Sequence, residues 1–162
     1  MSNILDSGER RVFTTGATRD VTTGKGACDL LPLDVIAEFY NNIDCLCPAY
    51  LVLRDIDLFE DTGNTEYLYN ILCNTPFGTN YANMFLELAI HFEEGAHKYS
   101  PNNWKKGIPV NCYIDSAVRH YLKYLRGDTD EPHDRAFVWN IVCAIWTCIH
   151  MPELNPYGKN DH

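Results

Sequence analysis

The chain has 162 residues, 46% of them hydrophobic and 22% charged, which fits one folded globular domain spanning residues 1–162 rather than a disordered chain. A formal net charge of −9 leaves no Lys/Arg-rich surface for gripping duplex nucleic acid, so no stable nucleic-acid binding is expected. The longest apolar run, Phe137 to Ile149, is too short to span a bilayer and is interrupted by Asn140 and Thr147, so no membrane association is expected.

The opening MSNILDSGERR lacks a basic start followed by an apolar stretch, so a cytoplasmic location is expected. Residues 1–31 are rich in Gly, Thr and charge and poor in apolar positions, and read as an extended arm, ordered or not. Pro32 sits where a first helical turn can begin, and a short helix is expected near 33–41. Within 41–83 the signal is mixed. Tyr50 to Phe59 fits a strand or a helix, Glu66 to Cys73 has helical spacing, and NTPFGTNY reads as a turn.

From Asn83 the periodicity is clearer. A helix near 84–99 would turn Phe85, Leu88, Ala89, Phe92, Ala96 and Tyr99 inward. A second, near 111–126, would turn Ile114, Ala117, Val118, Tyr121 and Leu125 inward, and a third near 133–150 is apolar almost all round. Short connections between them favour antiparallel packing in an all-α bundle. The seven Cys, at 28, 45, 47, 73, 112, 143 and 148, are odd in number and irregularly spaced, which favours reduced thiols.

The chemistry sits on these helices. Glu87, His91, Glu94 and Lys98 follow helical spacing and form one stripe opposite the expected apolar face, where an ordinary solvated face is as good a reading as a site. Glu93 borders the apolar face, where a carboxylate is desolvated unless a cation compensates it. Asp115 borders the apolar face of the next helix, and two carboxylates from facing helices suit an octahedral Mg2+ or Mn2+. Asp115 with Arg119 also reads as a plain ion pair four residues apart. Asn140 is a polar residue in an apolar helix and needs a partner, either a ligand or a neighbouring backbone. No P-loop, nucleophile elbow or paired Cys/His nucleophile is present.

Six blocks in order resemble the phage dATP/dGTP diphosphohydrolases, often called MazZ, of the MazG-like all-α nucleotide pyrophosphohydrolase superfamily. They are FTTGATRD from Phe13, GKGACDLLP from Gly24, HFEEGAHKY from His91, NWKKG from Asn103, YIDSAVRH from Tyr113, and His133 with Trp139 and Asn140. The resemblance covers most of residues 11 to 150, and 41–83 stands out from it as an insertion between the first and second helices. It implies a MazG-like helical bundle and a homo-oligomer. It also implies Mg2+- or Mn2+-dependent cleavage of a purine deoxynucleoside triphosphate, dGTP or dATP, to monophosphate and pyrophosphate. Such an enzyme would remodel the nucleotide pool of the host cytoplasm during phage infection.

Carried over residue by residue, Glu93 and Asp115 are the best-matched metal and catalytic carboxylates, with Glu94 beside them. Lys25, Lys98 and Arg119 would balance phosphate charge, Asn103 and Trp104 would meet the base, and His120, His133 and Asn140 complete the substrate set. Trp104 reads equally as a core anchor. Two departures bear on activity: Ile90 stands where relatives often carry an acid, and the second acidic signature is reduced to Cys112-x-x-Asp115. Asp55, Asp57, Glu60 and Asp61 of the insertion read as a solvated acidic loop. The alternative is a catalytically inactive helical module that binds nucleotide or protein.

Overall fold

The computed structural model describes residues 8–22, 26–33, 35–37, 39 and 47–158. A short antiparallel hairpin comes first, β1 (Arg10–Val12) and β2 (Thr18–Asp20), in the register Arg10↔Asp20, Arg11↔Arg19 and Val12↔Thr18. Its loop is closed by Phe13 and Ala17 backbone bonding and turns at Gly16, whose φ of 82° suits glycine. The arm is thus ordered from Gly8 to Thr22, and a 3-10 turn follows at Cys28–Leu30. Leu33, residues 35–37 and Phe39 have helical backbone. The rest of the helix expected at 33–41 lies outside the described residues, as do Lys25 and Cys45.

Five α-helices follow: α1 (Pro48–Thr62), α2 (Glu66–Leu72), α3 (Tyr81–Lys98), α4 (Val110–Arg126) and α5 (His133–His150). Several starts and stops have a local cause. Pro48 occupies the first turn of α1, where its missing N–H costs nothing, and Gly63 ends that helix in the left-handed region at φ 68°. The Asn80 side chain accepts from the Asn83 N–H at the start of α3. Pro109 and Pro132 precede α4 and α5, and Gly127 closes α4.

The helix α5 is the centre of the bundle. It packs most extensively against α4 and also contacts α3 and α2, while α1 and α2 pack on each other. Phe137, Val138, Ile141, Cys143 and Ala144 of α5 are fully buried, as are Tyr113, Ile114, Ala117 and Val118 of α4. The all-α bundle expected from periodicity is therefore the fold, with helix limits close to those expected, and the hairpin is its small β appendage.

Of the two readings open for Tyr50 to Phe59 the helix is the one formed, and Glu66–Leu72 is helical as its spacing indicated. Val52, Leu53, Ile56, Phe59, Leu68 and Ile71 bury completely, so this stretch is part of the core. The solvated acidic loop expected there is corrected in the same way. Asp55 is buried and held by Arg54 at 2.7 Å, and Glu60 accepts from the Tyr157 hydroxyl at 3.1 Å.

The inward face of α3 differs from the expected one. Met84, Leu88 and His91 are buried, whereas Phe85, Leu86 and Ile90 are 53%, 68% and 37% exposed, and Ala89 is exposed too. The stripe of Glu87, His91, Glu94 and Lys98 thus turns towards the bundle, not away from it. Its charges draw it in: Arg135 of α5 bridges both Glu94 oxygens at 2.7 and 2.8 Å and approaches Glu87 at 3.5 Å. Such a pair satisfies itself while leaving Phe85, Leu86 and Ile90 on the surface. On α4, Leu125 is likewise exposed rather than inward.

Two predictions follow from this packing. Cys28, Cys47, Cys73, Cys112, Cys143 and Cys148 are all free thiols, so the melting temperature should be the same with and without reductant, and a large loss under reductant would contradict this. Burial, together with the nearby Asp57 and Asp29 charges, pushes the Glu60 carboxyl up to about 7 from 4.5, against the Tyr157 hydrogen bond. A raised carboxyl contributes stability that is complete below the unfolded value and is lost as pH rises from 4.5 towards 7. Glu60→Gln should therefore gain melting temperature relative to the parent across that window, by roughly 2–4 °C for each kcal/mol relieved. An equal offset at pH 4 and pH 8 would count against it.

Candidate active site

Three successive residues of β2 dock the hairpin onto three different parts of the bundle. Thr18 meets Asn103, whose side-chain oxygen accepts from the Thr18 N–H and hydroxyl at 3.1 Å each, while its amide donates to the Thr18 carbonyl at 2.9 Å. Arg19 donates to the Asn140 side-chain oxygen at 2.6 Å. Asp20 accepts from Lys98 at 2.8 Å and from the Tyr99 hydroxyl at 3.1 Å, with Arg10 at 3.0 Å. Burial pushes the Asp20 carboxyl up, but Lys98, the Tyr99 hydroxyl and Arg10 together outweigh it and hold the group below its ordinary range.

Between the docked strand and the helices lies a cavity of about 760 Å3, a size typical of small-molecule sites. Its wall is built by β2, the C-terminal half of α3, the turn through Trp104, the Ser116–Lys123 face of α4 and the first turns of α5. Three nitrogens in residues of that wall are buried without a hydrogen-bond partner: Arg19 Nη1, His91 Nδ1 and Trp139 Nε1. Unpaired buried polar atoms are costly and rare in folded proteins, and these three belong to residues that also border the cavity, with the Arg19 guanidinium lying over the Tyr113 and Trp139 rings at 5.2 and 6.0 Å. His91 is held at about 3 by burial first and then by the Arg135, Arg19 and Lys98 charges, so its ring is neutral at physiological pH. Aromatic rings frame the same space, with Trp139 5.4 Å from His91 and 5.8 Å from Tyr113 between ring centroids.

Most of the residues expected to bind substrate border this cavity: Lys98, Asn103, Trp104, Arg119, His120 and Asn140. Several are already engaged by the protein itself. Asn103 pins β2, and Asn140 donates to the Ala136 carbonyl at 2.8 Å while accepting from Arg19. Trp104 packs on Phe92 and Trp146 at 5.2 and 5.0 Å, so its ring anchors the loop. Arg119 donates to Asp115 at 2.5 Å and to the Gly26 carbonyl at 2.6 Å. His133 is fully buried, with Nε2 2.8 Å from Asp130 and Nδ1 3.0 Å from His120 Nδ1.

The three acidic residues expected to share a metal are not gathered into one cluster among the described residues. Glu93 is exposed and lines the cavity. Glu94 is closed by the Arg135 fork. Asp115 lies under the chain rather than in the cavity wall, where one oxygen accepts from the Cys28 and Asp29 N–H groups at 2.6 and 3.4 Å and the other takes Arg119. The reason is the packing order: α3 and α4 share α5 as their partner, so their carboxylates answer to different neighbours. A cation on Glu93, Glu94 and Asp115 would first have to break two arginine pairs.

Sequence reasoning missed Arg19, Asp20, Trp139 and Glu131 as site residues, and His91 as an inward one. Arg19 and Asp20 stand in the FTTGATRD block and Trp139 in the last one, so the blocks themselves carried the signal. Comparison with known proteins accords with this. Residues 62–156 match the family model of dATP/dGTP diphosphohydrolase, N-terminal. No curated protein and no solved structure matches the chain. The matched stretch is more than half of the chain and carries α3, α4 and α5 with most of the cavity wall, and on it the chain belongs to the dATP/dGTP diphosphohydrolase family.

Proposed function

We propose that the chain hydrolyses a purine deoxynucleoside triphosphate, dGTP or dATP, to the monophosphate and pyrophosphate in this cavity. The observation that carries the reading is a cavity large enough for a nucleotide, lined by Arg19, His91, Lys98, Trp139 and Asn140, most of whose wall falls in the stretch that matches the family. Arg19 offers a buried cationic donor to a phosphate or base oxygen. The Trp139 ring and its N–H provide a flat apolar face with a polar edge, which suits a purine. Arg19, Lys98, Arg119 and Lys123 line the same space alongside Asp20, Glu93 and Glu131, so a polyanion there calls for a bound cation as well.

In the reaction, water attacks the α-phosphorus and pyrophosphate leaves. A divalent cation, when bound, would neutralise the phosphate oxygens and lower the pKa of a bound water. The protein's own part is to orient the triphosphate against Arg19 and to exclude bulk water between the hairpin and the helices. A homo-oligomer is part of the same reading, supported by the exposed Phe85, Leu86 and Ile90 on one side of α3. No helix among the described residues is long and apolar enough to cross a membrane. A place in remodelling nucleotide pools during phage infection rests on the resemblance alone.

The test is incubation with each deoxynucleoside triphosphate and Mn2+, followed by separation of the nucleotides. Monophosphate should appear without diphosphate, and purine substrates should be preferred. Arg19→Met should lower kcat/KM roughly tenfold or more, because a hydrogen bond to a charged donor is worth ~1.5–3 kcal/mol. Absence of turnover with every nucleotide would favour the non-catalytic helical module, and diphosphate as first product would place the cleavage at the wrong phosphorus.

A further inference from the structure

Where α4 runs past the start of α5, three ligand-type atoms face one another: His120 Nδ1, His133 Nδ1 and Glu131 Oε1. The two nitrogens are 3.0 Å apart, and the carboxylate oxygen is 3.7 Å from one and 3.8 Å from the other. The point in their plane equidistant from all three lies about 2.0 Å from each, the bond length of a divalent ion to imidazole nitrogen or carboxylate oxygen. We propose that His120, His133 and Glu131 form a binding site for one divalent transition-metal ion.

The hydrogen bonding of His133 supports the assignment, while the 3.0 Å contact between the two Nδ1 atoms places a proton on His120 Nδ1 in the metal-free protein, which an ion would displace to Nε2. His133 Nε2 faces the Asp130 carboxylate at 2.8 Å, so this nitrogen carries the proton and Nδ1 presents its lone pair to the cluster. A carboxylate fixing the far nitrogen of an imidazole is the arrangement that orients metal-bound histidines. His133 is buried in the first turn of α5, and Glu131 sits two residues before it, so the backbone holds both ligands at short range. His120 comes from α4 on the other side. His120 and Glu131 also line the cavity, which leaves solvent and ligand access to the ion. Three protein ligands with an open side describe a reactive rather than a sealed structural site.

The donor set also selects the ion. Two imidazoles and one carboxylate suit Zn2+, Co2+, Fe2+ or Mn2+, whereas Mg2+ prefers oxygen ligands only. A second grouping, Asp128, Asp130 and His133, shares His133 but uses its other nitrogen. Asp128 there is forked by Arg126 at 2.7 and 2.5 Å, and Asp130 is exposed, so that grouping is the weaker host.

The experiment uses the full chain, stripped by chelator and titrated with Co2+ in the absence of nucleotide, so it stands or falls independently of any hydrolysis. One Co2+ per chain should bind, with a visible absorption band from nitrogen ligation and a rise in melting temperature that equal Mg2+ does not produce. Glu131→Gln and His120→Asn should each weaken Co2+ binding by roughly tenfold or more while keeping the metal-free melting transition. If one of them fails to fold, the other gives the answer alone. Glu93→Gln should bind Co2+ like the parent. Absence of Co2+ binding by the parent, unchanged affinity in the cluster variants, or loss in Glu93→Gln with retention in Glu131→Gln would overturn the assignment.

Discussion

The hydrogen bond between Arg19 and Asn140 organises much of the rest of this structure. A guanidinium from a short surface hairpin enters the interior and meets the one amide in the middle of an apolar helix. Neither group is tolerable alone: a buried charge without partners is expensive, and so is a buried amide. Together they fix the hairpin against α5, and the flanking bonds of Thr18 to Asn103 and Asp20 to Lys98 and Tyr99 set its angle. The cavity exists because the strand is held at that distance from the helices. One nitrogen of Arg19 has no hydrogen-bond partner, and the guanidinium rests over the Tyr113 and Trp139 rings.

The same logic explains the polar residues of α3 and α5. Amphipathic helices usually hide their apolar stripe and expose their charges. Here Glu94 and Arg135 neutralise each other between the helices, and His91 sits beside them as a neutral ring. The compensation lets a polar stripe line the cavity and leaves the apolar Phe85, Leu86 and Ile90 outside. Ile90 is on that outer side.

The helical bundle was legible in the sequence because α4 buries a face of unambiguous period and α5 is apolar almost all round, with Pro109, Gly127 and Pro132 marking their ends. The facing of α3 was not. Apolar and polar stripes of similar width lie on opposite sides of it, and only the charge of Arg135, 41 residues away from Glu94, decides which turns inward. The candidate site was half legible for a similar reason. Lys98, Asn103, Arg119, His120 and Asn140 border the cavity, but which of them face a ligand depends on partners that spacing does not reveal. Asn103 bonds to a strand 85 residues earlier. Asp115 is the reverse case: its ion pair with Arg119 is local and was weighed from the sequence, while the Cys28 N–H that takes its other oxygen comes from a distant turn.

The central claim is that the space between the docked hairpin and the helices receives the nucleotide. Hydrogen–deuterium exchange of the full chain, with and without saturating dGTP and with chelator present to prevent turnover, tests it most directly. Added protection is predicted in β2 and in the segments around His91–Trp104 and Ala136–Asn140, which form the wall. Protection confined to α1 and α2, or an unchanged β2 under saturating nucleotide, would contradict it.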